Sequence, residues 1–374
     1  MKQLHVAFIL GARPQIIKSS LLIQLLNEDK KVKLSLIHTG QHYDYEMTKI
    51  FFEEFSLPDP SVNLNVGSDS HAQQTAKMMS RLEPVLLASK PNVVLIPGDT
   101  NSTLAGALTA AKLGIPVAHL EAGARSYDDK MPEEINRRLT DHCSTLLFTT
   151  TETCLQNLLK EGIRREKIRN VGDMMYDVLL YHLPKAEKTT ILAKLGVEVK
   201  GYFLLTLHRQ ENVDNPENLK KILHALQKLK QFTIVFPVHP RTRNKLCSLN
   251  LYEQVQKQKN IILTEPVGYL ENLALIKNAS IVLTDSGGIQ KEAFWLKTPC
   301  LTLRDKTEWV ETVSSGANYV LGSDAEKIVK TAKEIVEHKE EFRRKMEALS
   351  NPFGDGKASR KTLTEIKKAF LFSA

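Results

Sequence analysis

The residues best suited to bind an anion lie in the segment 281–297, which reads IVLTDSGGIQKEAFWLK. An apolar run is followed by Thr-Asp-Ser-Gly-Gly and a helical pattern, so the sequence predicts a strand, a tight turn and a helix N-terminus. Unpaired N–H groups and the helix dipole would together favour a phosphate there. Gly287 and Gly288 allow close backbone approach, and Ser286 can cap the helix or donate to a phosphate oxygen. Glu292, one turn further, is placed to accept the two hydroxyls of a ribose.

Other polar residues follow predicted strands, at the edge where open parallel sheets bind ligands. Those in the first half of the chain are Arg13, His38, Asp99 and Glu121, and those in the second half are His208, His239 and the turn at 284–288. Lys18 lies one helical turn after Arg13. An arginine next to proline in a strand-exit loop favours phosphate contact over an ordinary surface charge. If the two strand edges face each other, these side chains line one cleft.

Each of these residues also has a purely structural explanation. The glycine turn would serve any strand-to-helix connection, and Asp99 is equally suited to cap the helix that follows it. Glu133 and Glu134 stand in the first turn of a predicted helix, where the dipole favours carboxylates in any case. Glu121 follows an apolar strand at the mouth of the predicted cleft, so a functional carboxylate is favoured there. His208 ends a strand, where a ligand-facing histidine is favoured over a core one.

The composition narrows the class of protein. The chain has 374 residues, which suits two domains better than one core. Its net charge of +8 comes without a long Lys/Arg block or an aromatic stripe, so a nucleotide-like anion is a better partner than nucleic acid. No apolar run approaches the ~20 residues of a membrane span, and no signal peptide precedes the first strand. The four cysteines lack metal-ligand spacing, so we expect reduced thiols, no metal site and a cytoplasmic location.

Strands and helices alternate along the chain, which predicts an α/β fold with parallel sheets and helices on both faces. The predicted strands are 5–10, 32–38, 93–97, 115–120, 202–207, 233–238, 261–263, 281–283 and 300–303. The pattern breaks near residue 175, so we expect an N-terminal domain over 1–175 and a C-terminal domain over 176–359. The amphipathic segment 360–374 is expected to pack back on the first domain as a helix.

Six motifs occur in order along nearly the whole chain. They are GARP at 11–14, GDT at 98–100, HLEAG at 119–123, MPEEINR at 131–137, LHR at 207–209 and TDSGGIQ at 284–290. This set resembles the non-hydrolysing UDP-N-acetylglucosamine 2-epimerases, which interconvert UDP-GlcNAc and UDP-ManNAc. The resemblance implies two Rossmann-like domains of the glycosyltransferase-B type, with the active site in the cleft between them and UDP held mainly by the second. It also implies no metal or redox cofactor, a UDP-sugar substrate and a homodimer.

The resemblance also implies roles for individual residues. Asp99, Glu121 and Glu133 correspond to the family's acid/base carboxylates, and His208 to its catalytic histidine. The positions of the nucleotide-sugar contacts are Arg13, Lys18, Ser286, Gly287, Gly288 and Glu292, and we expect His239 at the same strand edge to contact substrate. Gln41 and His42 match an effector site of some bacterial members. In the implied reaction UDP leaves C1 of the sugar as the C2 proton is removed, and UDP then adds back with a proton on the opposite face.

Two positions depart from the family pattern. The usual Gly-Thr-Arg-Pro-Glu reads Gly-Ala-Arg-Pro-Gln at 11–15, and the usual Thr-Glu-Arg-Pro-Glu reads Thr-Glu-Trp-Val-Glu at 307–311. Both variants are similar to a sister branch that epimerises UDP-2,3-diacetamido-2,3-dideoxy-D-glucuronate. A glutamate in the cleft would repel an acidic sugar, so the neutral Gln15 fits that branch. UDP-GlcNAc, the family's commonest substrate, is still the first prediction.

Two other classes of protein compete with an epimerase. A glycosyltransferase of the same architecture would need a groove for an acceptor, whereas an epimerase can close fully over one ligand. A nucleotide-sugar sensor would bind the same UDP-sugar but would not need three carboxylates around C2.

Overall fold

Two parallel sheets organise the chain, each in its own compact unit. The structure, a computed structural model, describes residues 3–41 and 51–371. The first unit spans Met1–Val178 and resumes at Pro352, and the second spans Leu179–Asn351. None of the helices within the described ranges is long and apolar enough to cross a membrane.

The first unit is built on a seven-stranded parallel sheet. In chain order its strands are β1 (Leu4–Leu10), β2 (Val32–His38), β3 (Val62–Asn63), β4 (Val93–Pro97), β5 (Val117–Ala122), β6 (Leu146–Thr149) and β7 (Ile168–Asn170). They lie in the order β3-β2-β1-β4-β5-β6-β7. The central strands β1 and β4 are nearly continuous apolar runs, as expected of strands covered by helices on both faces. The strand order reverses between β1 and β4, and this switch point is where open α/β sheets bind ligands.

The second unit repeats this plan with six parallel strands. They are β8 (Tyr202–Thr206), β9 (Thr233–Pro237), β10 (Ile261–Thr264), β11 (Ile281–Thr284), β12 (Cys300–Thr302) and β13 (Asn318–Val320). Their order is β10-β9-β8-β11-β12-β13, so the switch point lies between β8 and β11. Apolar side chains from these strands and from the covering helices form one large core. Each unit is therefore Rossmann-like.

Helices cover both sheets. In chain order they are α1 (Arg13–Glu28), α2 (His71–Ser89), α3 (Asn101–Lys112), α4 (Pro132–Cys143), α5 (Glu152–Lys160), α6 (Met174–Ala186), α7 (Ile191–Leu195), α8 (Gln210–Val213), α9 (Pro216–Lys228), α10 (Pro240–Ser248), α11 (Tyr252–Gln256), α12 (Tyr269–Asn278), α13 (Gly287–Trp295), α14 (Val310–Ser314), α15 (Ala325–Glu337), α16 (Lys339–Glu347) and α17 (Ala358–Phe370). A 3-10 turn at Arg165–Lys167 precedes β7. Residues 51–54 are also helical.

The chain returns to the first unit before its last helix begins. The carbonyl of Phe353 accepts a hydrogen bond from the N–H of Asp173 (2.8 Å). The Asp177 carboxylate in α6 accepts from the N–H of Ala358 (3.0 Å) and so satisfies the N-terminus of α17. The return therefore starts earlier than the predicted residue 360, because the loop that leads into α17 already packs on this unit.

All nine predicted strands are present; two have the predicted bounds, and the ends of the others are shifted by one or two residues. The largest shift concerns β5, which starts two residues later than predicted and continues through Glu121 to Ala122. The strands that were not predicted from the sequence are β3, β6, β7 and β13. These have only two to four residues, too few for a periodic pattern to stand out.

Candidate active site

Asp99 lies at the switch point of the first sheet, two residues after β4 ends. Gly98 turns the chain with φ of +70°, a conformation that glycine adopts without strain. The Asp99 side chain is 33% exposed and pairs with the buried guanidinium of Arg137 from α4. Its backbone carbonyl accepts from Asn136 Nδ2 (3.0 Å). The arrangement presents a half-exposed carboxylate beside a fixed positive charge.

The alternative role of Asp99 as a helix cap is wrong. The N-cap of α3 is Thr100, and Thr103 completes the first turn because its Oγ1 accepts from the N–H of Thr100 (3.2 Å). Thr103 also donates to the carbonyl of Pro97 (2.8 Å). The first turn of α3 is thus held by threonines, and the Asp99 carboxylate is directed to Arg137 instead.

Glu121 comes from the end of β5, beside the Gly98 turn. Its φ is +70°, and the register of β5 with β6 is irregular at this residue. A left-handed conformation costs a non-glycine residue about 1–2 kcal/mol and is typical of functional sites. Lys18 from α1 forms a mostly buried ion pair with Glu121. A Cβ on Gly98 would lie 3.2 Å from Lys18 Nζ and 3.7 Å from Glu121 Oε2, so this pair packs directly against the turn.

The two glutamates at the start of α4 have different surroundings. Glu134 is fully buried and accepts from the N–H (2.9 Å) and Oγ (3.0 Å) of Ser126 and from Arg137 Nη1 (3.1 Å). These contacts make Glu134 a structural anchor for the loop before α4. Glu133 is only half-buried. Its acid/base role stays a prediction.

The remaining predicted residues of the first unit are spread around the same edge. Arg13 begins α1, is exposed, and holds its guanidinium 5.4 Å from the centroid of the Phe51 ring. Gln41 Oε1 accepts from Ser102 Oγ (2.6 Å) at the start of α3. His38 is 1% exposed, so it is a core histidine, contrary to the expectation that it faces the ligand. The predicted effector residue His42 lies outside the described residues.

Gln15 is buried and hydrogen-bonded within the protein, which favours a packing role over the predicted role in selecting the sugar. It is 1% exposed and uses both ends of its amide. Its Oε1 accepts from the N–H groups of Gly11 (2.9 Å) and Ala12 (3.1 Å). Its Nε2 donates to the carbonyl of Pro97 (2.7 Å) and to Thr103 Oγ1 (3.0 Å). Gln15 therefore ties α1 to the end of β4, and a glutamate could not make the two donor bonds.

In the second unit, His208 lies at the end of β8 and is paired with Asp285 at the end of β11. His208 Nδ1 is 3.2 Å from Asp285 Oδ1, and the ring is 36% exposed. With Nδ1–H donating to the carboxylate, Nε2 of a neutral ring is the acceptor and can take a proton from a ligand. The Asp285–His208 pair thus resembles the orienting pairs of general acid/base sites.

Asp285 is fully buried and is held ionised by its donors. Burial alone would raise the pKa of this carboxyl, but the hydrogen bond and charge of His208 and two backbone donors outweigh burial and lower it. The backbone donors are the N–H groups of His208 (3.0 Å) and Arg209 (2.9 Å), and Asn212 Nδ2 adds a longer contact of 3.3 Å. Asp285 therefore fixes both the backbone and the ring of His208.

His239 lies near His208 at the same strand edge, with ring centroids 5.6 Å apart. It is the N-cap of α10, and its Nδ1 accepts from the N–H of Arg241 (3.2 Å). Because Nδ1 is an acceptor, Nε2 carries the hydrogen of a neutral ring and can donate to a ligand. The ring is exposed.

The predicted glycine turn is present between β11 and α13. Ser286 occupies the N-cap position, but its side chain makes no capping hydrogen bond, contrary to expectation. The hydroxyl is half-exposed. A Cβ on Gly287 would lie 2.6 Å from Glu308 Oε1 and 3.1 Å from Trp309 Nε1, so a larger residue would require Glu308 or the turn to shift. Glu292, one turn later, is buried.

The segment after β12 packs against this turn. Glu308 is held there by Arg304 Nη1 (3.1 Å), and Arg304 also donates to Glu211 (3.0 Å). Trp309, a departure from the family pattern, is buried, and its ring lies 3.8 Å below the ammonium of Lys291. Trp309 therefore packs against the glycine turn.

Sequence reasoning assigned no role to Arg137, Asp285, Glu308 or Arg304. Arg137 and Asp285 lie inside the motifs at 131–137 and 284–290. Arg137 is on a helix turn that faces Asp99, and Asp285 follows a strand, so their positions could have marked both residues as functional. Glu308 packs against the glycine turn, and Arg304 holds Glu308, only in the folded protein, so no local sequence pattern predicts their role. Across the ranges 3–41 and 51–371, no group of three or more His, Cys, Asp or Glu side chains is arranged to hold a metal ion.

Comparison with known proteins shows which family the chain belongs to. A family model described as UDP-N-acetylglucosamine 2-epimerase matches residues 24–367. The chain is 49% identical over 361 residues to the UDP-N-acetylglucosamine 2-epimerase of Methanocaldococcus jannaschii, covering 95% of this chain and 96% of that protein. It is 45% identical over 334 residues to the UDP-2,3-diacetamido-2,3-dideoxy-D-glucuronate 2-epimerase of Pseudomonas aeruginosa, covering 88% and 92%.

The fold agrees with these relationships. The crystal structure of the M. jannaschii UDP-GlcNAc 2-epimerase in complex with UDP-GlcNAc and UDP superposes with a TM-score of 0.89 at 48% identity, covering 98% of this chain and 100% of that one. The predicted α/β class with two Rossmann-like domains of the glycosyltransferase-B type is confirmed. The chain belongs to the UDP-N-acetylglucosamine 2-epimerase family.

Proposed function

We propose that this protein is an isomerase that interconverts UDP-GlcNAc and UDP-ManNAc by elimination and re-addition of UDP. The observation that carries this proposal is the cluster at the first switch point, where Asp99 and Glu121 flank the Gly98 turn, each paired with a cation. Two carboxylates at one edge suit a reaction that removes a proton from one face of a carbon and returns a proton to the other.

The reaction proceeds in two balanced steps. In the first, a base takes the proton from C2, the C1–O bond to the diphosphate breaks, and UDP leaves with the bonding electrons, which gives a glycal. In the second, UDP attacks C1 and C2 receives a proton on its opposite face. We assign the proton transfers to Asp99, Glu121 and Glu133, with His208 as a further acid or base.

The second unit supplies the binding groups for UDP. The glycine turn offers backbone N–H groups and the N-terminus of α13, and the hydroxyl of Ser286 adds a donor for the diphosphate. The Nε2–H of His239 is oriented to donate as well. We assign Glu292 to the ribose hydroxyls, and Arg13 and Lys18 of the first unit to the nucleotide-sugar.

UDP-2,3-diacetamido-2,3-dideoxy-D-glucuronate is the alternative substrate, because a relative of that activity is 45% identical. The burial of Gln15 removes the charge argument for this sugar, so UDP-GlcNAc ranks first. Neither a glycosyltransferase nor a sensor is favoured by any relative reported above. The ratio of kcat/KM for the two UDP-sugars, measured by NMR on the same preparation, decides which of the two is the substrate. A ratio in favour of UDP-GlcNAc supports the first assignment, and a ratio in favour of the acidic sugar supports the second.

We also propose that the protein works as a homodimer in the cytoplasm and supplies a glycan precursor. Three large apolar side chains on helices of the first unit are about half exposed: Leu87 on α2, and Ile135 and Leu139 one turn apart on α4. Exposed apolar side chains at helical spacing suit burial by a second copy. Sedimentation velocity tests the dimer, and a monomer at micromolar concentration would contradict it.

The direct test of function is conversion of UDP-GlcNAc. Incubation of the protein with UDP-GlcNAc should yield UDP-ManNAc, followed by the anomeric signals in proton NMR, without release of free sugar. The matched control is Asp129→Asn, which alters an exposed carboxylate 82% accessible to solvent. If neither UDP-ManNAc nor the diacetamido epimer forms from its substrate, the proposal is wrong.

A further inference from the structure

One buried carboxylate contacts the chain on both sides of Glu121 and is linked to the Asp99 turn through a histidine. Asp141, near the end of α4, is 1% exposed. Its Oδ1 is 2.6 Å from Nδ1 of His119, and its Oδ2 accepts from the N–H of Gly123 (3.2 Å). His119 and Gly123 flank Glu121 by two residues on each side. Asp141 therefore pins the chain before and after the left-handed residue Glu121.

The same carboxylate reaches Asp99 through the His119 ring. His119 Nε2 is 2.7 Å from the backbone carbonyl of Gly98, the residue before Asp99. A carbonyl oxygen only accepts, so Nε2 carries a hydrogen. Nδ1 faces a carboxylate, which also accepts. If Asp141 is ionised, both ring nitrogens of this fully buried histidine face acceptors and both donate.

The charges around this ring balance. Arg125 donates to Asp141 Oδ2 (2.7 Å) and to both oxygens of Glu161 (2.7 Å each). Two cations, His119 and Arg125, therefore face two carboxylates. Burial alone would raise the pKa of Asp141, but the charges and hydrogen bonds of His119 and Arg125 outweigh it and lower that pKa. An ionised Asp141 is what a doubly protonated His119 requires.

We infer that Asp141 and His119 form a positioning pair, which holds the Gly98–Asp99 turn and the Glu121 segment at the spacing that proton transfer needs. Neither residue touches substrate in this role. The pair acts on Asp99 through one peptide group and on Glu121 through the two ends of its segment. The catalytic part of the inference rests on the function proposed above, whereas the protonation state of His119 does not.

The first experiment measures that protonation state in the unaltered protein. Nitrogen-15 NMR of ring-labelled histidine, with His119 assigned from the His119→Gln variant, distinguishes imidazolium from the neutral tautomers. We expect both His119 nitrogens to carry hydrogen, because each faces an acceptor oxygen. A signal with one protonated and one bare nitrogen at pH 7 would overturn the inference, whether or not the protein epimerises anything.

The second experiment separates positioning from binding. Asp141→Asn should lower kcat on the epimerised UDP-sugar by roughly 100-fold, since about 1 Å of misplacement has that effect on a reacting group. KM and the Kd of UDP should change less than about twofold, because the groups proposed to bind UDP lie mainly in the second unit. Glu161→Gln is the matched control, since it also removes a carboxylate from Arg125 but leaves His119 and Gly123 in place, and it should keep wild-type kcat.

Two results would overturn the role of the pair. One is wild-type kcat in a folded Asp141→Asn variant, and the other is an equal loss of kcat in Glu161→Gln. If the unaltered protein turns over neither UDP-sugar, the proposed function fails, and the NMR measurement still decides the state of His119. If Asp141→Asn does not fold, the NMR result on the unaltered protein carries the test.

Discussion

At the scale of single residues, the proposed mechanism depends on carboxylates that are each held by a specific partner. Asp99 is paired with Arg137 and Glu121 with Lys18, so both are oriented by contacts within the protein. Preorganised acid/base groups contribute to rate rather than to ground-state binding. Experiments can therefore separate these carboxylates from the residues proposed to bind UDP.

Asp99→Asn and Glu121→Gln should each lower kcat by about 100-fold or more, because a positioned acid or base is lost. The Kd of UDP, measured by calorimetry, should stay within about threefold, since other groups are proposed to bind UDP. Asp129→Asn, in an exposed pair with Arg138, serves as the control and should leave both quantities unchanged. Near-normal turnover in both active-site variants would remove these carboxylates from the mechanism.

Asp285 gives a prediction about pH. Its folded-state pKa lies below the ordinary value, so its contribution to stability is fully present above pH ~4 and is lost as pH falls through the lowered folded-state pKa. Asp285→Asn should therefore cost about 2 kcal/mol of unfolding free energy at neutral pH and progressively less in acid. Tryptophan fluorescence during urea unfolding measures this, because both tryptophans, Trp295 and Trp309, lie in the second unit. A difference between wild type and variant that is constant from pH 7 to pH 3 would contradict the assignment.

At the scale of elements, the sites follow from strand order. Predicted residues converge because β1 and β4, and likewise β8 and β11, are neighbours at the points where each sheet reverses its order. The sequence allowed this prediction since apolar runs that end in polar residues mark strand ends. It could not reveal that Gln15 is buried, because the groups that bind its Nε2, Pro97 and Thr103, are more than 80 residues away.

The glycine turn before α13 gives a prediction of its own. Gly287→Ala should place a methyl group 2.6 Å from Glu308 Oε1, which Arg304 holds in place. The turn must shift, at about 1–3 kcal/mol, so the Kd of UDP should rise roughly 5- to 150-fold. Calorimetric titration with UDP measures the change.

Gly268→Ala is the matched control for this variant. Gly268 also precedes a helix of the second unit, but its φ is −67° and no atom lies within 4 Å of an added Cβ. It should bind UDP as the wild type does. Unchanged UDP affinity in Gly287→Ala would show that the diphosphate does not sit at this turn.

At the scale of the whole molecule, the α/β alternation was enough to predict two sheet-based units, since each strand–helix repeat has a recognisable pattern. The early return of the chain at Pro352 could not be predicted, because it depends on tertiary hydrogen bonds such as that from Asp173 to Phe353. The contact of Asp141 with His119 is likewise invisible in sequence, as 22 residues separate them. Long-range polar contacts and the four shortest strands were therefore the parts that the sequence did not predict.

The central claim is that the protein breaks and remakes the C2–H bond of a UDP-sugar by elimination of UDP. The most direct test is incubation with UDP-GlcNAc in D2O, with proton and carbon-13 NMR of C2. The account predicts deuterium at C2 of both UDP-GlcNAc and UDP-ManNAc, with no exchange in Glu121→Gln above about one-hundredth of the wild-type rate. Formation of UDP-ManNAc with C2 fully protonated, or no exchange with UDP-GlcNAc and the diacetamidoglucuronate alike, would contradict it.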